Sequence, residues 1–313
     1  MKKLIIQLSG GIGNQLFQYH AGYAVAKACG AVLFIDDSRV SKGKYVRSNR
    51  DSGLSSSNLR GISGVNEVFL RNGFIHDFSR MNKWKSFVPF LRDTLVDTSP
   101  NGEIGVKLSI GDIRRLIPEQ RTIRFRGNLQ SLQIVEFARD KGCMPLFQPK
   151  DVSDSFFQSV DQLTSQSLLG IHLRAKDYGI DSNMTKLSDL YYRKAIEMAL
   201  EEEKGSAVWI FTDSEVDARR KYGWIFDLPN LKVVKAHEFN DLETLYVMSK
   251  IDQLIISNST FSFWGGMFNS TGKIYAPEPW FNSPGKIIGD SLSSEVNLIH
   301  FQFPQNWEII KWI

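Results

Sequence analysis

Apolar residues in this chain follow two rhythms, short continuous runs and helical stripes, and in the second half the two alternate. Lys2 to Leu8 is a short apolar, β-branched run that breaks at Ser9-Gly10-Gly11-Ile12-Gly13, the pattern of a buried parallel strand entering a glycine loop. From Gln15 to Cys29 the residues Leu16, Tyr19, Tyr23, Ala24, Ala26 and Ala28 cover one broad helical face. Gly30 stops that helix, and Ala31 to Ile35 predicts a second strand, a β-α-β opening. From about Ser41 to Glu103 serines alternate with Lys, Arg and Gly without a period, and no element is assigned there. Order returns at Thr122 to Arg126, where Ile123 and Phe125 alternate with Arg124 and Arg126, and a helix follows over Ser131 to Lys141 with Gly142 as its stop. Pro145 and Pro149 bracket a domain boundary.

The second half is more regular. Strands are predicted at Leu168–Leu173, Ala207–Phe211, Lys232–Val234, Gln253–Ile256 and Lys273–Ala276. Helices are predicted near Ser188–Glu203, Glu215–Tyr222, Asp241–Lys250 and Thr260–Asn269. Such alternation implies a parallel sheet covered on both faces. The chain therefore reads as α/β, with two Rossmann-like halves, residues 1–148 and 149–313, facing each other. Gln305–Ile313 is expected as a closing helix that packs back on the first half.

Length supports two domains, since 313 residues is about twice a typical domain. A hydrophobic share of 42% excludes disordered and fibrous classes. With 38 Lys+Arg against 34 Asp+Glu, the net charge of +4 is small and spread out, which gives no field for nucleic acid. Cys29 and Cys143 are far apart with no metal spacing, so neither a disulfide framework nor a zinc site is expected and a reducing compartment suits the chain. Met1-Lys2-Lys3 is followed by too short an apolar run for a secretory leader, and no stretch approaches the roughly 18 apolar residues of a membrane span. The expected location is cytoplasmic, with any membrane contact peripheral.

Chemistry gathers where strands end. The loop Gly10-Gly11-Ile12-Gly13-Asn14-Gln15-Leu16 invites a dinucleotide reading, and Asp36-Asp37 ends the second strand where a ribose-binding acid would stand. Leu16 occupies the place of the third glycine, however, so the close helix-to-strand packing of that fingerprint is not encoded. What remains is a loop whose glycines let backbone N–H groups approach an anion, with Asn14 and Gln15 as neutral donors, or else a plain strand-to-helix turn. After Leu168–Leu173, alternation puts His172, Arg174 and Lys176 on one side at the carboxyl end of a parallel strand, where open α/β sheets bind ligands. That suits a diphosphate; an Arg174–Asp177 ion pair is the plainer reading. Asp213 either caps the helix after Thr212-Asp213-Ser214 or accepts hydrogen bonds from a base or sugar. Ser257-Asn258-Ser259-Thr260 crowds hydroxyls and an amide at a helix start that needs only one cap, which favours a phosphate cradle. There is no Asp-x-Asp to hold Mg²⁺ or Mn²⁺, and no complete phosphate-loop, serine-hydrolase or zinc-protease motif.

Taken together, these residues resemble the α-1,2-fucosyltransferases of glycosyltransferase family eleven. Gly10-Gly11-Ile12-Gly13-Asn14-Gln15-Leu16-Phe17-Gln18-Tyr19 is similar to the family's N-terminal signature, and Gly127-Asn128-Leu129-Gln130-Ser131 to its G-Y-F-Q-S element. His172-Leu173-Arg174-Ala175-Lys176-Asp177-Tyr178 resembles H-x-R-x-G-D-Y, and Ser257 to Trp264 resembles S-N-S-T-F-S-W-W. Ala276-Pro277 with Trp280-Phe281 resembles the A-P…W-F that follows. Lys176 stands where the family has glycine and Asn128 where it has tyrosine.

The resemblance implies a GT-B fold and an inverting, metal-independent transfer of L-fucose from GDP-β-L-fucose to a hydroxyl, O2 of a terminal galactose. It implies no cofactor, with GDP-fucose and a galactose-terminated oligosaccharide or lipid-linked glycan as partners at the inner membrane's cytoplasmic face, in O-antigen or capsule synthesis. The implied catalytic residues are Arg174 for the leaving diphosphate, assisted by His172, and Asp177 as general base with Asp181 next. Donor contacts are expected from Gly11, Asn14, Gln15, His172, Arg174, Asp213, Ser257, Asn258, Ser259 and Thr260. Alternatives are another nucleotide sugar or linkage on the same fold, a non-catalytic glycan- or GDP-binding module, and an NAD-dependent oxidoreductase.

Overall fold

The computed structural model describes residues 3–36, 68–69, 93–97, 122–127, 130–143, 156, 160, 167–175, 186–202, 206–234, 238–280, 285–286, 298–299 and 303–312. These fall into two compact units, one formed by Met1–Leu146 with Lys286–Ile299 and one by Phe147–Gly285 with His300–Ile313.

The N-terminal unit carries a five-stranded sheet. Its strands are β1 (Lys3–Gln7), β2 (Val32–Asp36), β3 (Val68–Phe69), β4 (Asp93–Asp97) and β5 (Thr122–Arg126), in the order β3-β2-β1-β5-β4, all parallel. The chain moves outward from β1 through β2 to β3 and then returns to the other side of β1, so the sheet's switch point lies between β1 and β5. Helix α1 (Ile12–Cys29) ends at Gly30, whose φ of 60° is the left-handed conformation that glycine adopts without a Cβ penalty. A Cβ at Gly22 would lie 3.0 Å from Leu33 Cδ1 and 3.2 Å from Ile6 Cβ, so this glycine lets α1 press onto β1 and β2. The close approach missing at Leu16 is thus made further along the same helix. Helix α2 (Leu132–Asp140) packs beside α1 through buried Leu132, Ile134, Val135 and Ala138.

The C-terminal unit is a six-stranded parallel sheet, order β13-β10-β9-β6-β7-β8. Its strands are β6 (Leu168–Leu173), β7 (Ala207–Thr212), β8 (Leu231–Val234), β9 (Gln253–Ile255), β10 (Lys273–Glu278) and β13 (Glu308–Lys311). Outside this sheet, a two-stranded ladder pairs β11 (Gly285–Lys286) with β12 (Leu298–Ile299), and Lys286–Ile299 is grouped with the N-terminal unit. Every residue of β6 is buried, as expected of a central strand covered on both faces. Helices α3 (Asp189–Glu202), α4 (Glu215–Tyr222), α5 (Asp241–Met248) and α6 (Thr260–Phe268) alternate with the strands. On α3, Tyr191, Ala195 and Ala199 recur at helical spacing beside Tyr192 and Ile196, and all five join the core. The switch point here lies between β6 and β9, because the chain runs β6-β7-β8 in one direction and re-enters at β9 on the other side.

The elements expected from the apolar pattern are present, their ends shifted by at most a few residues. The exception is Gln305–Ile313. Glu308–Lys311 is not a helix but strand β13, paired in parallel with β10 from Tyr275↔Glu308 to Glu278↔Lys311, so this segment completes the C-terminal sheet. Ile309-Ile310 is β-branched and suits a pleated edge, and buried Trp307 and Ile310 anchor it.

Candidate active site

The carboxyl ends of β6, β7 and β9 bring His172, Arg174, Asp213, Ser257 and Ser259 close together. His172 and Arg174 face the segment after β9 in matched steps: His172 Nδ1 lies 2.7 Å from Ser257 Oγ, and Arg174 Nη1 donates to Ser259 Oγ at 3.1 Å. The expected alternation of His172 and Arg174 is therefore real, and it meets an equal spacing on the neighbouring strand end. Ser259 occupies the cap position of α6 yet makes no side-chain cap hydrogen bond, so the plain capping reading does not account for it. Ser262 Oγ donates to the carbonyls of Ser257 and Ser259 and so stiffens the same turn.

Two adjacent tyrosines brace this edge from α3. Tyr192 Oη donates to the His172 carbonyl at 3.2 Å, and Tyr191 Oη donates to the Ile256 carbonyl. Burial pushes the His172 pKa down from 6.5 to about 4, with Arg174 acting in the same direction and Asp213 opposing. His172 is neutral at pH 7 and can assist Arg174 only as a hydrogen-bonding group. Phe261 lies against its ring, with centroids 5.9 Å apart.

Asp213 approaches from the other side of β6. Its Oδ1 accepts from the Ala175 backbone N–H at 2.7 Å, while the cap of α4 is Ser214, whose hydroxyl accepts from Asp217 N–H. Capping by Asp213, one of its two expected roles, is thus taken by its neighbour. Asn258 is fully buried, with its Nδ2 donating to the Trp280 carbonyl at 3.1 Å, which makes it a brace inside the fold. Ser257 is also fully buried, whereas Thr260 is half-buried in the first turn of α6. Lys176, Asp177 and Asp181 lie outside the described residues.

In the N-terminal unit the glycine loop sits at the switch point of its own sheet. Gly10 has φ +74°, and a Cβ there would meet Asn14 Nδ2 at 2.8 Å. Gly11 is exposed at the start of α1, and no acidic residue stands in that helix's first turn, so its N-terminal field is left open to an anion. Asn14 Oδ1 accepts from Gln130 Nε2 at 3.2 Å, and buried Gln15 donates to the Gly10 carbonyl at 2.9 Å, shaping the loop from within. Gln18, part of the N-terminal signature but given no role by the sequence, ties the loop to the end of β5: its Nε2 donates to Ser9 Oγ and to the Gly127 carbonyl, and its Oε1 accepts from Ser9 N–H. Asp36, at the ribose-acid position, is buried and accepts from Gln7 Nε2 at 3.1 Å.

Among the described residues, no three His, Cys, Asp or Glu side chains come together in a group able to hold a metal, and no helix is long and apolar enough to cross a membrane. No protein-family model matches the chain. It is 24% identical over 298 residues to an α-1,2-colitosyltransferase of Escherichia coli, covering 90% of this chain and 93% of that protein. It is 26% identical over 320 residues to the O-antigen biosynthesis glycosyltransferase WbnK of Escherichia coli, covering 91% and 97%. The fold is similar to that of the fucosyltransferase NodZ from Bradyrhizobium, with a TM-score of 0.50, 15% identity, and 96% and 98% of the two chains covered. A NodZ α-1,6-fucosyltransferase structure soaked with GDP-fucose gives a TM-score of 0.51 at 15% identity, over 96% and 99%. By sequence relatives and by fold, the chain ranks with glycosyltransferases of the GT-B type.

Proposed function

We propose that this protein transfers L-fucose from GDP-β-L-fucose to O2 of a terminal galactose, with inversion and without a metal. The observation that carries the proposal is the part-buried Arg174 held on Ser259 beside neutral His172 at the switch point of the C-terminal sheet. The motif resemblance and the two glycosyltransferase relatives support it.

In this mechanism the acceptor hydroxyl attacks the anomeric carbon from the face opposite the diphosphate. As the new C–O bond forms, the bond to the β-phosphate oxygen breaks and GDP departs with the electron pair. Charge develops on that diphosphate, and a guanidinium already fixed by Ser259 can hold two of its oxygens without reorganising. His172 and the α6 N-terminus with Thr260 add neutral donors. Asp213 approaches the same ligand with one oxygen committed to Ala175. The proton of the attacking hydroxyl goes to a carboxylate, which we assign to Asp177 on its motif position. In the N-terminal unit, the open α1 terminus at Gly11 and the Asn14 carboxamide are assigned to ligand contact, with Gln15 shaping the loop. The acceptor is a galactose-terminated oligosaccharide or lipid-linked glycan, reached at the cytoplasmic face of the inner membrane.

A second reading takes colitose in place of fucose and is favoured by the relative named an α-1,2-colitosyltransferase. Colitose lacks the 3-hydroxyl of fucose, and a site built to hydrogen-bond that hydroxyl would reject it by about four orders of magnitude. Incubation with GDP-fucose or GDP-colitose and a galactoside, followed by NMR of the product, tests both. An α-L-fucosyl product with galactose C2 shifted supports the proposal. Transfer of colitose alone replaces it with the second reading, and a β-linked product removes the inverting mechanism.

A further inference from the structure

The peptide groups that follow Arg174 are gripped from both sides by the β7–α4 unit. Asp213 Oδ1 accepts from Ala175 N–H at 2.7 Å, and Lys221 Nζ donates to the Ala175 carbonyl at 2.9 Å. Ala175 itself is 3% exposed. The first bond fixes the plane between Arg174 and Ala175, and the second fixes the plane leading to Lys176. Together they set the backbone angles of Ala175, and the first also fixes the peptide plane on the carboxyl side of Arg174.

Both grips come from one short element. Asp213 immediately precedes Ser214, the cap of α4, and Lys221 lies in the last turn of that helix. Side chains on a helix lean toward its N-terminus, which carries the Lys221 ammonium back toward the end of β6. Each bond pairs a charged group with a backbone dipole, the stronger class of hydrogen bond. Lys221 is nevertheless an exposed residue, and an exposed lysine contributes little to global stability. Its contact is therefore suited to local geometry more than to holding the fold.

We infer that Lys221 is a positioning residue for transfer: with Asp213 it clamps the Ala175 peptide groups and so holds the Arg174 guanidinium on Ser259 in the geometry that meets the departing diphosphate. This rests on the role given to Arg174 above. A misplacement of about 1 Å in such a group costs about 100-fold in rate, so a clamp on the residue that follows it has leverage on turnover. The sequence has no spacing signal for Lys221, because its partner is a main-chain carbonyl.

The test compares full-length wild type with Lys221→Met, which keeps the stem and removes the donor, and Lys221→Arg, which keeps a donor. Kinetics use whichever nucleotide sugar the wild type turns over. The expected result for Lys221→Met is a kcat loss of about tenfold to 100-fold, with donor KM within about threefold, an unchanged melting temperature and substantial recovery in Lys221→Arg. Combined with Arg174→Lys, it should cost less than the product of the single losses, because both act through the same guanidinium. The Arg174 Nε–H resonance in ¹⁵N spectra should move or broaden in Lys221→Met. Wild-type kcat and an unmoved resonance in Lys221→Met overturn the clamp, and so do multiplicative losses in the double variant. Should the wild type turn over no nucleotide sugar, the functional reading fails, and the resonance alone then decides the clamp.

Discussion

Arg174 and Ser259 are joined across the ends of two neighbouring strands: Nη1 donates to Oγ at 3.1 Å, and Ser259 leaves the helix it precedes without a side-chain cap. A serine at a helix start ordinarily stabilises that helix by accepting from the first turn. Here the hydroxyl fixes a cation instead, a use of the residue that suits ligand binding better than stability.

Removing the fork should show this most sharply. Arg174→Ala is expected to lower kcat by about 100- to 1000-fold, the usual cost of deleting a preorganised donor for developing charge. Arg174→Lys keeps a charge but not the paired geometry and should recover only part of the loss. Steady-state kinetics with saturating donor check both, and a wild-type kcat in Arg174→Ala would remove this residue from the mechanism.

Ser257→Ala strips the partner from His172 Nδ1 inside the fold. Leaving a buried polar nitrogen unpaired costs about 1–3 kcal/mol. Urea unfolding should show a lowered midpoint with an unchanged slope, whereas an unmoved midpoint would mean that the contact contributes nothing.

The acid side of the stability profile should carry a histidine signature. Burial pushes His172 and His20 from 6.5 down to about 4, so both are neutral when folded at pH 7. The unfolded chain takes up protons on them below about pH 6.5 while the folded chain does not, so stability falls as pH drops from about 6.5 toward 4. The melting temperature should decline across that window, and His172→Gln should flatten part of the decline relative to its own value at pH 8. Identical slopes in the two proteins would contradict the assignment.

Gly22→Val tests the close approach of α1 to its sheet. Even a single Cβ would press on Leu33 and Ile6, and valine adds two further methyl groups at the same place. A loss of about 1–3 kcal/mol is expected, measured by denaturant unfolding, because overpacking forces backbone shifts. Unchanged stability would show that the helix can move away freely.

Much of this architecture is legible in the sequence itself. Buried parallel strands such as Leu168–Leu173 are continuous apolar runs, whereas helix α3 keeps an amphipathic stripe, so periodicity separates the two there; α1 and α6 are buried nearly all round and are marked instead by their length and their glycine or serine starts. The pairing of His172 and Arg174 on one side follows from strand alternation. Contacts to main-chain atoms are invisible at that level. Lys221 on the Ala175 carbonyl, Gln18 on the Gly127 carbonyl and Asn258 on the Trp280 carbonyl depend on where the backbone passes, and no motif records that. The expected helix over Gln305–Ile313 is replaced by strand Glu308–Lys311, because so short a segment displays no clear period; its β-branched Ile309-Ile310 beside Trp307 is the available signal. Strands β3 and β4 lie in the stretch where no period emerges, and they enter the sheet by pairing with β2 and β5.

The most direct test of the central claim is GDP release from GDP-fucose in EDTA, with and without galactose-terminated oligosaccharides, for wild type and Arg174→Ala. Acceptor-stimulated release that survives chelation and collapses in the variant is the predicted result. Release that stops in EDTA and returns with Mg²⁺, or no release with any acceptor while a different nucleotide sugar turns over, would contradict it.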